Sequence, residues 1–302
     1  MATPHPRSAS DEQPRDSPHS QRRVDFHRAE AGSVIRAVGE QLALFGGCQR
    51  WRERRAHYRP AGEPFEPTRY GVEPIDFGPS RQFVTQHHYS GTMPAARLQL
   101  GLRHKASAFQ SDTLAGVLVF SVPMQEQAVP AWLGLPPRLG IEIGRLVLLD
   151  GVPGNGESWF LGRCFRLLRQ LLPEVEGVLS YCDPLERRDA QGHVVKRGHI
   201  GTVYKAFNGR YAGRSSARTL LLSADGRSVN ERTLSKIRLG EQGAGYAVRQ
   251  LQALGAPAPR PFEGGPDYVA RAVIEGGFRK VRHPGNLAFT WQLPRGHGMA
   301  AM

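Results

Sequence analysis

The sequence predicts an α/β fold, because segments with strand patterning alternate with helical segments through the central part of the chain. Residues 96–103 and 113–122 are predicted as two neighbouring strands joined by a polar turn. Residues 141–149 form a third predicted strand. The apolar run at residues 146–149 indicates burial on both faces, so this third strand is expected at the centre of the sheet.

A strand, a helix and a further strand follow in residues 146–182. Ser158 is a suitable N-cap for the helix, and Pro173 ends it. The next strand covers residues 177–182. A right-handed crossover through such a helix joins parallel neighbours, so these two strands are expected to run parallel.

The remaining elements are less regular, and the sequence divides into four regions. The predicted elements are a helix at 34–45, a helix at 199–207, a hairpin pairing 218–223 with 228–233 through Ala224-Asp225-Gly226, and short strands at 268–274 and 287–293. The predicted regions are a disordered tail (1–23), a basic helical extension (24–75), a catalytic domain (76–240) and a C-terminal extension with short strands and a basic cluster (241–302).

The charge of the chain favours a polyanionic partner. The formal net charge is +13 and the sequence pI is about 10.3, which is typical of proteins that bind nucleic acid. Residues 50–59 interleave cations with aromatic side chains, as a phosphate-binding and base-stacking surface would, although a solvated helix face explains them equally well. Residues 279–283 form a second basic cluster, for which a solvated turn is the more ordinary explanation.

Cysteine usage and hydropathy indicate the compartment. Cys48, Cys164 and Cys182 have no CxxC spacing, which favours a reducing environment without a zinc finger. No apolar run approaches the roughly 20 residues that cross a bilayer. We therefore expect a cytoplasmic protein.

Two features are predicted to meet at the carboxyl ends of the strands, where open α/β sheets bind ligands. The glycine-rich loop 151–156 precedes a helix N-terminus and is a plausible phosphate cradle, or else a tight connection. Asp183 ends an apolar strand, where it could act as a base or a metal ligand, or cap the adjacent turn.

Other titratable side chains lie in short motifs nearby. His88 and Tyr89 precede Gly91 and offer a titratable base beside a phenol, although either imidazole of the His87-His88 pair could simply be exposed. His199 and Tyr204 begin the helix predicted at 199–207 and could reach the same cleft, although a packed tyrosine is commoner.

Taken in order, these motifs resemble the Mom-like DNA modification proteins of Mu-like phages, and the match covers residues 83–233. The motifs are Phe83-Val84, His88-Tyr89-Ser90-Gly91, Ile141-Glu142-Ile143-Gly144-Arg145-Leu146, Asn155-Gly156-Glu157-Ser158-Trp159-Phe160, Ser180-Tyr181-Cys182-Asp183-Pro184 and Gly198-His199-Ile200-Gly201-Thr202-Val203-Tyr204-Lys205-Ala206. The family is regarded as a divergent branch of the GNAT acyltransferases, so the resemblance implies a GNAT-like mixed central sheet flanked by helices.

The resemblance also implies an activity. Members attach a methylcarbamoyl group to the exocyclic amine of adenine in double-stranded DNA, which shields phage genomes from restriction; acetyl-CoA or a related donor, and iron, are associated with them. Carried over by motif, the catalytic residues would be His88, Tyr89, Arg145, Asp183 and Tyr204. The cofactor would be approached by Gly154, Asn155, Gly156 and Ser158, and a metal would be bound by His88, Asp183 and His199.

This chain has a polar stretch, residues 185–197, where the family is typically shorter. Asp183 and Tyr204 are therefore expected to meet through a looped-out insertion. Two other functions compete with DNA modification. One is an ordinary GNAT acyltransferase acting on a protein or small-molecule amine, and the other is a non-catalytic nucleic-acid-binding protein on a GNAT-like scaffold.

Overall fold

The computed structural model describes residues 47–60, 62–105 and 111–294. The predicted tail at 1–23 and the predicted helix at 34–45 lie outside these residues.

The strands are β1 Gly47–Arg52, β2 Arg55–Pro60, β3 Tyr70–Pro74, β4 Ala96–His104, β5 Thr113–Ser121, β6 Gly140–Leu148, β7 Gly177–Cys182, β8 Arg187–Arg188, β9 Val194–Lys196, β10 Arg210–Arg214, β11 Arg218–Leu222, β12 Ser228–Val229, β13 Arg279–His283 and β14 Leu287–Gln292. The helices are α1 Phe77–His87, α2 Ala128–Leu133, α3 Gly156–Leu171, α4 Thr202–Ala206, α5 Glu231–Leu239, α6 Ala244–Gln252 and α7 Gly265–Glu275.

A seven-stranded mixed sheet organises the fold, in the order β10-β14-β7-β6-β5-β4-β3. Strands β6 and β7 are parallel and joined by α3, while every other neighbouring pair in this sheet is antiparallel. The predicted α/β class, the central place of β6 and the parallel pair are therefore confirmed.

Strand β5 shows why both faces of this sheet are covered. Its side chains alternate between two hydrophobic cores, as the period of a strand requires. Leu118 and Phe120 face the core that contains α3, whereas Val117 and Val119 face the core that contains Phe83 of α1. Burial on both sides explains the nearly uninterrupted apolar sequence of this strand.

Strands β6 and β7 part before they end. Their parallel pairing runs from Gly140 opposite Gly177 to Ile143 opposite Ser180, although β6 continues to Leu148 and β7 to Cys182. A bulge at Gly144 shifts the register of β6 against β5 at the same level. A Cβ on Gly144 would lie 2.3 Å from the hydroxyl oxygen of Ser121, so the bulge requires glycine. A cleft therefore opens between the carboxyl-terminal halves of two central strands.

The C-terminal region completes the sheet rather than extending it. Strand β14, confirmed close to its predicted place, lies between β10 and β7. The expected boundary at residue 240 thus separates strands of one sheet. A second core forms where α5, α6 and α7 pack on the small sheet β12-β11-β13.

Three predicted elements differ from the structure. Residues 268–274 lie in helix α7 rather than in a strand, because Tyr268, Val269 and Ala272 place their apolar side chains on one helical face. The predicted strand at 228–233 stops at Val229, since the side chain of Asn230 accepts a hydrogen bond from the amide of Arg232 and caps α5. Helix α4 covers only part of the predicted 199–207.

Two further predictions, for residues 50–59 and for the first residue of helix α3, also differ from the structure. Residues 50–59 lie in the β1–β2 hairpin and not on a helix, so the helical extension predicted for residues 24–75 is wrong over this part. Helix α3 begins at Gly156 with Asn155 as its N-cap. Ser158 is therefore inside the first turn, where its hydroxyl donates to the carbonyl of Asn155.

Strand β14 should be essential to stability. Phe289 is fully buried in the main core, and we expect Phe289→Ala to lower the free energy of unfolding by about 3 to 5 kcal/mol because it leaves a cavity. The matched control is Phe262→Ala, since Phe262 is fully exposed and its loss should change stability by less than about 0.5 kcal/mol. Urea unfolding measures both, and equal effects would contradict the central place of β14.

Candidate active site

Residues from four separate parts of the chain converge near the carboxyl ends of β6 and β7. His88 and Tyr89 follow α1, with their ring centroids 4.2 Å apart. Arg145 lies on β6 and Asp183 directly follows β7, and both charges act on the pKa of Tyr89. Tyr204 lies on α4, close enough to Tyr89 for the two phenols to influence each other. The structure thus brings together the five residues carried over by the resemblance.

Asp183 is the centre of a buried network of hydrogen bonds and ion pairs. Its carboxylate is 2.5 Å from the guanidinium of Arg187, 3.4 Å from the ammonium of Lys196 and 2.9 Å from Nε2 of His283. The amide of Leu185 donates a further hydrogen bond at 3.0 Å. Because Nδ1 of His283 accepts from the amide of Gly285, its Nε2 carries the proton and donates to Asp183.

These partners determine the protonation of Asp183. Burial would raise its pKa, but the hydrogen bond from His283 and the charges of Lys196 and Arg187 outweigh burial and hold the pKa well below its ordinary value. A carboxylate that is surrounded by donors and this acidic accepts a proton poorly near neutral pH. Its surroundings favour a positioning role over the role of base expected from the sequence.

Lys196 is a member of this network that sequence reasoning missed. It is 2% exposed, and its ammonium lies within 3.3 Å of the carbonyl oxygens of Asp183, Leu185 and Arg197. Burial lowers its pKa to about 8, although Asp183 works against this. A signal was present, since lysine is rare in this arginine-rich chain.

The insertion 185–197 is looped out as expected. It carries the small β8–β9 hairpin, and its two ends meet where the amide of His199 donates to the carbonyl of Asp183 at 3.0 Å. A Cβ on Gly198 would lie 2.0 Å from the carbonyl oxygen of Pro184, so the closure requires glycine. The insertion therefore leaves Asp183 and Tyr204 in the same cleft.

Both histidines predicted for the site are held neutral. Nδ1 of His88 accepts the amide proton of Ser90 at 3.1 Å, so its Nε2 carries the ring proton. Burial, then the charges of Arg145, His199 and Lys196, push the pKa of His88 well below its usual value. Burial and Lys196 likewise lower the pKa of His199 to about 4.

Tyr204 is packed among aromatic rings and is also bonded into the cleft. Its ring meets that of Trp291 edge-on at 5.5 Å, and its hydroxyl is hydrogen-bonded to Ser180. Burial raises its pKa far above 10, so the phenol stays protonated. Gly201, which precedes α4, has φ +74°, and a Cβ there would lie 2.5 Å from the ring of Phe289.

Arg145 and Glu142 both lie on β6, at the level where the strands part. Arg145 donates from Nε to the carbonyl of Thr92 at 2.9 Å and from a terminal nitrogen to the Thr92 hydroxyl at 3.0 Å. Burial raises the pKa of Glu142 to about 7, and Arg145 only partly offsets this. Glu142 was not among the site residues predicted from the sequence, although an acidic residue between Ile141 and Ile143 is unusual in an apolar strand.

The loop that the sequence proposed as a cofactor cradle is tied to the β1–β2 hairpin. Arg50 is fully buried and donates to the carbonyls of Val152 at 2.9 Å and Pro153 at 2.6 Å, and it pairs with the carboxylate of Glu157. A Cβ on Gly156 would lie 2.6 Å from the side chain of Val152, so packing alone requires this glycine. Asn155, by contrast, makes no capping hydrogen bond with its side chain.

The proposed metal ligands do not fit a metal. Among the residues that the structure describes, no group of three or more His, Cys, Asp or Glu side chains is arranged to hold an ion. Both carboxylate oxygens of Asp183 are already engaged by donors, and the ammonium of Lys196 stands beside them. The set His88, Asp183 and His199 is therefore not arranged to bind a metal, and the carboxylate of Asp183 instead pairs with Arg187 and Lys196.

The basic and aromatic segment 50–59 is in part structural. Arg50 is fully buried, and Trp51 is 9% exposed and packs 5.1 Å from the ring of Tyr89, so neither can form a DNA-binding surface. The cluster at 279–283 is also partly internal, since His283 is fully buried against Asp183. Arg55 and Arg282 remain exposed.

The antiparallel strands followed by a parted parallel pair define an α/β protein whose mixed sheet agrees with the one that the resemblance implies. The model of the Mom protein family matches residues 69–257, and the chain belongs to that family. It is 28% identical over 177 residues to the methylcarbamoylase mom of Escherichia phage Mu. That match covers 58% of this chain and 66% of the relative, just under two thirds of its length. The family thus includes a protein named as an enzyme.

Solved structures resemble the chain more loosely. A tandem GNAT protein from the clavulanic acid biosynthesis pathway is 10% identical with a TM-score of 0.38, over 74% of this chain and 98% of the other. Malonyl-CoA decarboxylase from Agrobacterium vitis is 13% identical with a TM-score of 0.32, over 76% and 62%. In the described part of this chain, no helix combines the length and hydropathy required to cross a membrane.

The Asp183 network should give the fold a distinctive acid sensitivity. Folding depresses the pKa of Asp183. The stabilisation that its ion pairs provide is therefore complete above the unfolded pKa of about 3.9 and is lost as the pH falls towards the folded value. We expect Asp183→Asn to cost about 3 to 5 kcal/mol at pH 7, because it removes the carboxylate that pairs with buried Lys196 and partly buried Arg187, and to cost less at pH 2.

Urea unfolding at both pH values measures this difference. The matched control is Asp76→Asn, since Asp76 is exposed and makes no capping hydrogen bond with its side chain. A loss for Asp183→Asn that is the same at pH 7 and pH 2 would contradict the ion-pair network.

Proposed function

We propose that the chain is a DNA modification enzyme that transfers a methylcarbamoyl group to the exocyclic amine of adenine. The observation that carries the proposal is the convergence of the five family-motif residues in one cleft beside the parted strands. Membership of the Mom family and the Mu relative named as a methylcarbamoylase support the reaction class. The enzyme would act in the cytoplasm and protect phage or prophage DNA from restriction.

The chemistry calls for a base in this cleft. Adenine's amine is a weak nucleophile because its lone pair is delocalised into the ring, so a proton must leave as the new N–C bond forms. Glu142 suits this task better than Asp183 does. A carboxylate with a pKa of about 7 is partly ionised at neutral pH and can bind the transferred proton. The carboxylate of Asp183, by contrast, already accepts several hydrogen bonds and has a depressed pKa.

The remaining polar groups suit a carbonyl that gains negative charge. The neutral His88 presents Nε2–H, Tyr204 keeps its phenolic proton, and Arg145 carries a positive charge near Glu142. Donors fixed in a buried cleft stabilise a developing oxyanion without reorganising during the reaction. In this assignment Asp183 and Lys196 position the walls of the cleft and do not exchange protons with the substrate.

A CoA-type donor follows from the family resemblance, and part of the structure suits it. The amides in the first turn of α3 have no intrahelical acceptor, and the N-cap side chain of Asn155 makes no capping bond. Gly154, Asn155, Gly156 and Ser158 would therefore hold the donor's phosphates at this helix end. When bound, such a donor would have to carry the whole methylcarbamoyl group on its thiol, because an acetyl group lacks the required nitrogen. The C–S bond would break as the adenine nitrogen bonds to the carbamoyl carbon, and the thiol would be the leaving group.

Double-stranded DNA is the proposed acceptor. The net charge of +13 supports association with a polyanion, and the target base must leave the helical stack to reach a partly buried cleft. The alternative acceptor is a protein or small-molecule amine. An enzyme that acts on such an amine needs neither the positive charge of this chain nor a base taken out of the DNA helix.

Mass spectrometry of nucleosides from plasmid DNA tests the function directly. The chain is expressed in a restriction-deficient host, and we expect a modified adenosine with wild type that is reduced at least 100-fold in Glu142→Gln, since general base catalysis contributes roughly 10² to 10⁴. The control is Glu174→Gln, because Glu174 lies at the surface and its ion-pair partner in the described part of the chain is the exposed Arg97. Unmodified DNA from well-folded wild type would favour the protein or small-molecule acceptor.

Stability distinguishes a functional Glu142 from a merely structural one. Folding raises the pKa of Glu142, because its charged form is destabilised by burial. The folded state therefore has its full stability below the unfolded pKa of about 4.3, where Glu142 is protonated, and loses stability as the pH rises through about 7. We therefore expect Glu142→Gln to be more stable than wild type at pH 8, and to lose that advantage at pH 4, while its activity is lost. Destabilisation at pH 8 would contradict the assignment.

A further inference from the structure

A cavity of about 450 Å³ lies between the edge strand β3 and helix α3. Tyr70 comes from the strand, Thr68 from the 3-10 turn before it and Lys105 from the residue after β4, while Trp159, Arg163 and Arg166 come from the helix. Ligand pockets in proteins usually measure about 300 to 1,000 Å³. The cavity is therefore large enough for one nucleotide.

The charges around this cavity are all positive. Lys105, Arg163 and Arg166 converge from two elements, and among the residues that the structure describes no Asp or Glu lines the cavity. Within the described residues, none of these three cations makes an ion pair, whereas most arginines elsewhere in the structure do or donate to a carbonyl. Three exposed cations without a carboxylate repel one another, so a bound anion would relieve this repulsion.

Aromatic rings form the wall next to these cations. Trp159 lies 5.4 Å from the ring of Phe65, which stacks on Tyr70 at 4.9 Å. The guanidinium of Arg163 lies over the Trp159 ring at 5.1 Å. A flat apolar wall beside a cluster of cations suits a ligand that has both a planar ring and a phosphate.

This cavity is separate from the candidate active site. It lies on the α3 face of the sheet, where Tyr70 belongs to the core that contains α3. Trp51 and Tyr89 belong to the opposite core with α1, and strands β4 and β5 stand between β3 and β6. Among the residues of the resemblance motifs Trp159 lines the cavity, whereas none of the five cleft residues and none of the proposed cofactor-loop residues does.

We propose that the cavity between β3 and α3 binds a phosphorylated nucleoside. The phosphate lies among Lys105, Arg163 and Arg166, and the base packs against the wall that contains Trp159. The same chemistry is offered by a free nucleotide and by one unit of a nucleic acid strand. The site stands independently of the proposed DNA modification.

Titrations of the full chain test the proposal with defined probes. ADP, a single-stranded deoxyadenosine octanucleotide and inorganic phosphate are added separately, and binding is followed by calorimetry and by tryptophan fluorescence. We expect the double variant Arg163→Ala/Arg166→Ala to lose at least about tenfold in affinity, because two charge-assisted contacts to phosphate disappear. The matched control is Arg169→Ala, an exposed arginine of the same helix outside the cavity, which should bind within about twofold of wild type.

Each outcome supports or overturns the site. If the double variant loses only ADP binding, the ligand of the site is a free nucleotide. If it loses only octanucleotide binding, the ligand is a nucleic acid strand. Binding of inorganic phosphate alone, or equal affinities in the double variant and Arg169→Ala, would overturn the proposal. The exposed substitutions should leave the unfolding midpoint unchanged, and the plasmid nucleoside assay reports separately on DNA modification.

Discussion

The buried contacts between Asp183 and its hydrogen-bond and ion-pair partners join three parts of the molecule. Asp183 directly follows β7, Lys196 and Arg187 belong to the insertion, and His283 belongs to the small C-terminal sheet. A carboxylate removed from water requires such partners, and each buried cation in turn requires the carboxylate. This network therefore helps to hold the insertion and the small C-terminal sheet in position beside the cleft.

Two carboxylates near the cleft are driven in opposite directions by their surroundings. Glu142 is buried with little compensation, so its pKa rises to about 7, while the donors around Asp183 keep that group ionised. Such divergence gives one cleft both a fixed charge and a group able to take up a proton. The division of roles follows from hydrogen bonding rather than from residue type.

The β1–β2 hairpin connects the two halves of the cleft. Arg50 holds the carbonyls of the loop before α3, and Trp51 packs against Tyr89 on the other side. A sequence of alternating cationic and aromatic residues resembles a nucleic-acid-binding surface, whether its side chains face water or the protein interior. Only the fold decides which, because strand alternation turns neighbouring residues in different directions.

The sequence by itself determined the α/β class, the central strand β6 and the parallel β6–β7 pair, and its motifs nominated the five residues that lie around the cleft. Apolar periodicity and turn residues act over short range, and ordered motifs retain their spacing. The tertiary structure alone decided that His283 meets Asp183, that Lys196 is buried and that β14 enters the main sheet. The contact between His283 and Asp183 joins residues 100 positions apart, and the pairing of β14 with β7 spans an even longer stretch of chain. Local patterning carries no information about partners brought together only by packing.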